Sequence, residues 1–504
     1  MTGGARTLMV QGTASGAGKS LLVAALCRLL RREGLEVRPF KAQNMALNAA
    51  VTADGGEVGR AQALQALACG TDVTRAMNPI LLKPEGDRCA QVIVDGEVHG
   101  RMDAAAYHAL KPRLWPVVTA ALDRLRGECD VVVIEGAGSP AEVNLRDRDI
   151  VNMRVAAHAD APVLLVGDID RGGVFAALLG TLALLRPAER RRVAGMIVNN
   201  FRGDARLFED GAAFLERRAR IPVLGVVPHL EGLRLPQEDS LGLAAMNGAG
   251  PGAAPVLDIA LVGLPRISNF DDCDPLLREP GVGVRLVDRG DALGDPDLVV
   301  LPGTKTSRTD LETARDRGLT TALRSARRRG SAVLGICGGM QLLGRGIDDP
   351  DGADAAPGST PGIGLLPTAT RMSGAKIVRR VRGEVLAVPG LLEGATGFAV
   401  RGYEIHAGRT PPRRPPLRLW PDTGGDAWDD GATSPDGWVV GTHAHGLLDE
   451  DGLRRALLGA VARRRGRRWR PGPPHPGPDA ELDRLADAVA ASVDMTRLRA
   501  IIGR

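Results

Sequence analysis

The chain has 504 residues, 44% of them hydrophobic and only 3% aromatic, with 65 Lys or Arg against 60 Asp or Glu and a formal charge of +5. This composition excludes a mainly disordered chain, and so few aromatics exclude a base-stacking RNA surface. Only six of the basic residues are Lys and acids are interspersed among the Arg, so the surplus charge points to neither a nucleic-acid nor a membrane partner.

In chain order, short β-rich runs at 8–11, 37–40, 131–135, 163–167, 193–198 and 223–227 alternate with helix-compatible stretches such as 21–32 and 174–185. Strands separated by helices predict crossover connections and a parallel sheet covered on both faces. The small-residue stretch 243–255 predicts a linker between a first domain, 1–242, and a second, 256–463, whose strands are expected at 257–264, 298–302, 333–336 and 438–442. Residues 464–478 are rich in Arg, Pro and Gly and predict a solvated linker, with an amphipathic helix at 480–502 closing the 464–504 segment. The expected fold class is α/β, two doubly wound domains. No apolar run reaches the roughly 18 residues that span a bilayer, and the N-terminus lacks the apolar stretch of a signal peptide. Six cysteines, at 27, 69, 89, 129, 273 and 337, form no CxxC pair, and a reducing cytoplasm is expected.

The first strand runs into Gly12-Thr-Ala-Ser-Gly-Ala-Gly-Lys-Ser20 and then into a helix. Backbone N–H groups of such a loop (Thr13, Gly16, Gly18) and the helix N-terminus polarise a phosphate cradle. Lys19 is placed to reach β/γ-phosphate oxygens of ATP and the Ser20 hydroxyl to ligate Mg²⁺. The spacing is one residue longer than the usual P-loop, and Thr13 stands where the first Gly usually does. Glu135 ends an apolar strand, where its carboxylate would face the Mg²⁺. Asn199 and Asn200 close another strand and are candidates to contact the nucleotide.

In the second half, Gly335-Ile-Cys-Gly-Gly-Met-Gln341 follows an apolar strand. Glycines beside Cys337 permit the strained strand-to-helix turn that projects a nucleophile, and the helix N-terminus lowers a thiol pKa. Backbone N–H groups of Gly338 and Gly303 are candidates for an oxyanion hole. A thiol needs a base: His445, His443 and His406 all qualify by residue type, and their chemistry does not choose among them.

Carrying both motifs, the chain resembles the cobyric acid synthase family over its whole length. The carriers are KAQNMALN at 41–48, EVGRAQ at 57–62, MNPILLKP at 77–84, DIDRGG at 168–173 and NNFRGD at 199–204. The first half is similar to dethiobiotin synthetases and the second to class I glutamine amidotransferases. The resemblance implies that Cys337 is the glutaminase nucleophile and His445 its base, with Ser20, Glu135 and Glu57 at Mg²⁺. Glutamine and ATP are the implied small-molecule substrates. It implies corrinoid contacts from Lys41, Gln43, Asn44, Arg60, Asp168, Asp170 and Arg171, and fourfold amidation of carboxylates b, d, e and g of adenosylcobyrinic acid a,c-diamide through acyl phosphates. The Glu that most class I amidotransferases carry two residues after the catalytic His is Leu447 here, leaving Glu404 as the candidate to orient His445. Cobyrinic acid a,c-diamide synthases share both halves, and the strings at 41–48 and 168–173 argue against them. A partition-type ATPase scaffold would carry a second Lys where Ala14 stands.

Overall fold

The computed structural model describes residues 4–86, 88–233, 235–236, 255–473 and 476–503. All but Pro255 of the predicted linker 243–255 lies outside them. The chain forms two compact units. Unit 1 comprises the chain up to 46, 57–236 and 476–504; unit 2 comprises 47–56 and 237–475.

Unit 1 is built on six parallel strands in the order Val223–Pro228, Val193–Phe201, Val163–Asp168, Arg6–Gly12, Val131–Glu135, Val37–Phe40. The central strands are buried throughout, as their continuous apolar runs require of a sheet covered on both faces. Register brings Gly12 beside Val166, Val10 beside Glu135 and Asp168 beside Asn199, so the P-loop, Glu135, Asp168 and Asn199 share the carboxyl edge. Ligands of open α/β sheets bind at that edge. A second sheet joins Gln43–Met45, Ile80–Pro84, Cys89–Val94 and Glu97–Asp103, and the long helix Ala104–Arg126 follows it.

The C-terminus departs from the sequence reading. Two helices, Gly477–Ser492 and Met495–Ile502, replace the single one, with Asp494 accepting from the Arg497 N–H at the second helix's start. They belong to unit 1 rather than to a separate appendage. Leu482, Leu485, Val489, Leu498 and Ile502 enter the core that holds Leu8, Leu26 and Leu30. Arg28, on the helix Lys19–Arg32, forks onto Asp483 at 2.8 and 3.0 Å and reaches Asp479 at 3.0 Å. The expected boundary at 463/464 falls in the last turn of the helix Asp451–Arg464.

Unit 2 has five parallel strands, Val282–Val287, Leu257–Val262, Leu298–Leu301, Ala332–Ile336 and Val439–Thr442, edged by the antiparallel Ala432–Thr433. Beside them lies a largely antiparallel sheet around the long strand Thr370–Val385, which pairs with Ala399–Arg409 and Leu417–Pro421.

Candidate functional site

In unit 1 the loop between Gly12 and the helix Lys19–Arg32 turns through left-handed Gly16 and Gly18. A Cβ on Gly18 would lie 2.0 Å from Asn199 Nδ2, so only glycine fits. Asn199 donates to the Ala17 carbonyl at 3.0 Å and braces the loop. Lys19 is buried and its ammonium donates to the Ala14 and Gly138 carbonyls at 2.9 and 3.2 Å. Ser20 Oγ donates to Glu135 Oε1 at 2.8 Å, Lys41 Nζ lies 2.9 Å from the same oxygen, and Gln65 donates to the other at 2.6 Å. Burial opposes ionisation of Glu135, but Lys41, Gln65 and Lys19 outweigh it and hold its carboxyl below the usual range. A hydroxyl beside an ionised carboxylate that already carries an ammonium is a hard-oxygen pair suited to Mg²⁺.

The other expected residues of unit 1 are distributed around this point. Arg171 approaches the loop, its guanidinium 3.2 Å from where a Gly16 Cβ would stand, and Asp168 closes its strand at 3.9 Å from Arg171. Asp170 pairs with exposed Arg202 at 2.7 Å. Gln43 accepts from the Tyr107 hydroxyl, Asn44 donates to Gln62 at 3.1 Å, and Arg60 begins the helix Arg60–Cys69. Glu57, expected at the metal, is placed instead in a buried pair with Lys83 at 2.7 Å. The lysine charge compensates that carboxylate as Lys41 does Glu135, and Glu135 also has the Ser20 hydroxyl of the nucleotide loop 2.8 Å from its Oε1.

In unit 2, Cys337 ends the strand Ala332–Ile336 with φ 52° and ψ −110°, a sparsely populated conformation, and precedes the helix Gly338–Leu343. The flanking glycines are dictated by space. A Cβ on Gly339 would sit 2.0 Å from the Leu301 carbonyl oxygen, and one on Gly338 2.8 Å from the Thr304 N. His445 follows the strand Val439–Thr442, and its imidazole and the Cys337 sulfur are close enough to shift each other's ionisation. His445 Nδ1 is 2.7 Å from Asp272 Oδ2, and the Gly446 N–H donates to Asp272 Oδ1 at 2.7 Å. The Tyr403 ring stacks on the imidazole at 5.0 Å. All of these side chains are buried.

Electrostatics follow from that line. Burial disfavours the charged imidazole, yet Asp272 and then Cys337 overcome it and raise His445 to about 10. Burial likewise disfavours the thiolate, but His445, His443 and the Gly338 N–H bring Cys337 below its usual value. The two shifts favour the thiolate and the imidazolium over the neutral pair. Gly303 packs against it, a Cβ there being 3.1 Å from His445 Cε1, while Ser268 pairs with Gly303.

Glu404 does not orient His445. Successive residues of a strand face opposite sides; Tyr403 faces His445, so Glu404 turns away, to Arg379 at 2.6 Å. Glu404, His406 and His443 bring one ligand atom each within 4.8 Å of one another. The two imidazoles, however, stack at 4.1 Å with 20° between their planes, and nearly parallel rings cannot aim in-plane lone pairs at one ion. His443 Nδ1 is held by Asp430 at 3.0 Å and His406 Nδ1 by the Gly408 carbonyl at 2.8 Å. Of the three, His443 acts on the thiol, whose Sγ also contacts the Ile405 carbonyl at 3.4 Å. Sequence reasoning missed Asp272. Its one signal was the run Asp-Asp-Cys-Asp at 271–274, in which an acid beside apolar Phe270 and Cys273 must be buried and hence paired.

A family model for the CobQ/CobB/MinD/ParA nucleotide binding domain matches residues 8–241, and one for the CobB/CobQ-like glutamine amidotransferase domain matches 258–453. The chain is 52% identical to the cobyric acid synthase of Sorangium cellulosum (strain So ce56), covering 99% of each. It is 50% identical to that of Pelotomaculum thermopropionicum, covering 99% of this chain and 97% of the relative. To that of Paracoccus denitrificans (strain Pd 1222) it is also 50% identical, over 98% and 99%. Among the described residues, no helix is long and apolar enough to cross a membrane.

Proposed function

From the premise that this chain belongs to the cobyric acid synthase family, we propose that its two units divide one amidation between them. The chain is a glutamine-dependent amidotransferase that uses ATP as an ATP-dependent ligase of cobalamin synthesis. The observation that carries the division is the presence of the buried Asp272–His445–Cys337 group in one unit and of a nucleotide-binding loop in the other.

In unit 2 the Cys337 thiolate attacks the glutamine carboxamide carbon, with the oxyanion facing the Gly338 and Gly303 N–H groups. The C–N bond breaks as imidazolium His445 gives its Nε2 proton to the departing ammonia. Asp272 keeps the Nδ1–H in place throughout, so the ring stays in the tautomer that can act at Nε2. His445 then takes a proton from water, and the water oxygen displaces the thiolate to release glutamate.

In unit 1 a corrinoid carboxylate attacks the γ-phosphorus of ATP and ADP leaves. A carboxylate is a poor electrophile because oxide is a poor leaving group, and the acyl phosphate removes that obstacle. Ammonia attacks the acyl carbon, phosphate leaves, and the amide forms. Lys19 offsets charge on the transferred phosphoryl oxygens. Ser20 and Glu135 would hold Mg²⁺, which when bound neutralises β- and γ-phosphate charge. Asp168, Asp170 and Arg171 at the sheet edge, with Lys41, Gln43, Asn44 and Arg60, are the proposed corrinoid contacts. The site of action is the cytoplasm.

The test is product mass after exhaustive reaction of purified chain with adenosylcobyrinic acid a,c-diamide. Four added amides are expected, at b, d, e and g. The Cys337→Ala variant should add them from ammonium salts but not from glutamine; loss of both routes would overturn the division.

A further inference from the structure

Residues 47–56 belong by their contacts to unit 2, although the chain on either side of them belongs to unit 1. Within unit 2 the segment, with its strand Ala49–Val51, exchanges two hydrogen bonds with a single residue. The Asn269 N–H donates to Asn48 Oδ1 at 2.7 Å, and the Ala49 N–H donates to Asn269 Oδ1 at 2.9 Å. Arg380 adds a third bond, Nε to the Val51 carbonyl at 2.8 Å. Asn48 is 0% and Asn269 2% exposed. Water cannot replace such bonds, so each side chain fixes the backbone of the other segment.

Asn269 stands at a junction. Its φ is 51°, a left-handed conformation that asparagine tolerates better than most residues, and it opens the 3₁₀ helix Phe270–Arg278. On one side, Ser268 pairs with Gly303, the proposed oxyanion donor. On the other, the Asn269 carbonyl accepts the Asp272 N–H at 3.2 Å, and Asp272 holds His445. Fixing Asn269 therefore fixes two parts of the glutaminase. Asn48 in turn is three residues beyond Met45 and four beyond Asn44, within the string that carries the proposed corrinoid contacts Lys41, Gln43 and Asn44, and Arg60 follows the segment.

We propose that Asn48 is a positioning residue for the glutaminase: its bond to Asn269 seats Asp272 and Gly303, and makes glutamine hydrolysis answer to what the flanking segments of unit 1 bind. This rests on Cys337 being the glutaminase nucleophile, which Cys337→Ala tests separately. Glutamine hydrolysis persisting in that variant would sink the nucleophile assignment whatever Asn48 does.

The experiment compares full-length wild type with Asn48→Ala, Asn48→Asp and Asn269→Gly. Glutamine hydrolysis is measured with and without ATP and adenosylcobyrinic acid a,c-diamide, and amidation is measured from ammonium. Asn48→Ala removes the acceptor of the Asn269 N–H. Asn269→Gly keeps the left-handed backbone and removes the side chain whose Oδ1 accepts the Ala49 N–H. In both, kcat for glutamine should fall by about 10- to 100-fold, the range expected for catalytic groups displaced by about an ångström. KM for glutamine should move far less, stimulation by ATP and corrinoid should vanish, and ammonium-driven amidation should stay near wild type. Asn48→Asp retains the acceptor and should recover part of kcat. Wild-type kcat and stimulation in Asn48→Ala overturn the proposal, as does a parallel loss of ammonium-driven amidation, which marks a folding role. If Asn48→Ala is insoluble, Asn269→Gly decides on the same readouts.

Discussion

Changing Asp272 to Asn is the sharpest perturbation of the thiol centre, because the two shapes match and only charge and proton inventory differ. Asp272 faces two donors, the Gly446 N–H on Oδ1 and His445 Nδ1–H on Oδ2, each at 2.7 Å. An asparagine offers one acceptor and one NH₂ group. One donor must then oppose the NH₂, or His445 must give up its Nδ1 proton and keep only that on Nε2, losing the imidazolium that pairs with the thiolate. The charge is lost as well. His445 is raised from 6.5 to about 10, with Asp272 the first of the groups that raise it; at about 1.4 kcal/mol per pH unit that span is worth roughly 5 kcal/mol. Cys337 supplies part of it, so the loss expected in kcat for glutamine is about 10²- to 10⁴-fold, the upper end being what a triad amide costs elsewhere.

The sign of the pH dependence follows from the same groups. His445 is raised, so the imidazolium partner is present at low and neutral pH and is lost as pH climbs through about 10. Cys337 is lowered from 9.0, so the thiolate appears below that value as pH rises. Wild type has a wide window between the two edges. In Asp272→Asn the upper edge moves down and the lower edge moves up, and the window narrows from both sides. Glutamine hydrolysis and thiol alkylation with iodoacetamide, each followed across pH, read the two edges. Ammonium-driven amidation should be unchanged. Wild-type kcat with unmoved edges would refute the role of Asp272.

Two further outcomes are expected. Lys19→Ala should stop amidation from glutamine and from ammonium alike, by product mass, since Lys19 acts on the phosphoryl group before nitrogen enters; amidation from ammonium at the wild-type rate would discredit that role. Leu482→Ala, fully buried in the core of unit 1, should cost about 2–5 kcal/mol in denaturant unfolding, whereas a solvated terminal helix would lose almost nothing.

The sequence made the sheet edge of unit 1 legible because all of its information is local. The apolar run at 131–135 and the Gly-rich loop before Lys19 predict the strand and the turn, and a parallel sheet brings their carboxyl ends together. The elbow at Cys337 was legible for the same reason, its glycines answering the close approach of Leu301 and Thr304. Asp272 was not, because it meets His445 across 173 positions and its neighbours Asp271 and Asp274 carry the same chemistry. Glu404 looked suitable on residue type alone, and the alternation of the strand Ala399–Arg409 turned it the other way. The strand Thr370–Val385 was hidden by its many Arg residues, whose apolar stems cover a sheet while their charges obscure the alternation. The terminal helices were misassigned because the Pro-rich stretch before them resembles the start of an appendage. Only three-dimensional packing shows Leu482 and Leu485 against Leu26.

That packing has a consequence for how the protein is made. Arg6 donates to the Gly503 carbonyl, and both residues lie in the unit whose sequence the other unit interrupts. During translation the nucleotide-binding sheet emerges early, yet the layer carrying Leu482, Val489 and Ile502 follows the residues of the glutaminase. A nascent chain therefore holds an open hydrophobic face through the synthesis of its second half. A chain truncated before Leu482 would leave that face bare.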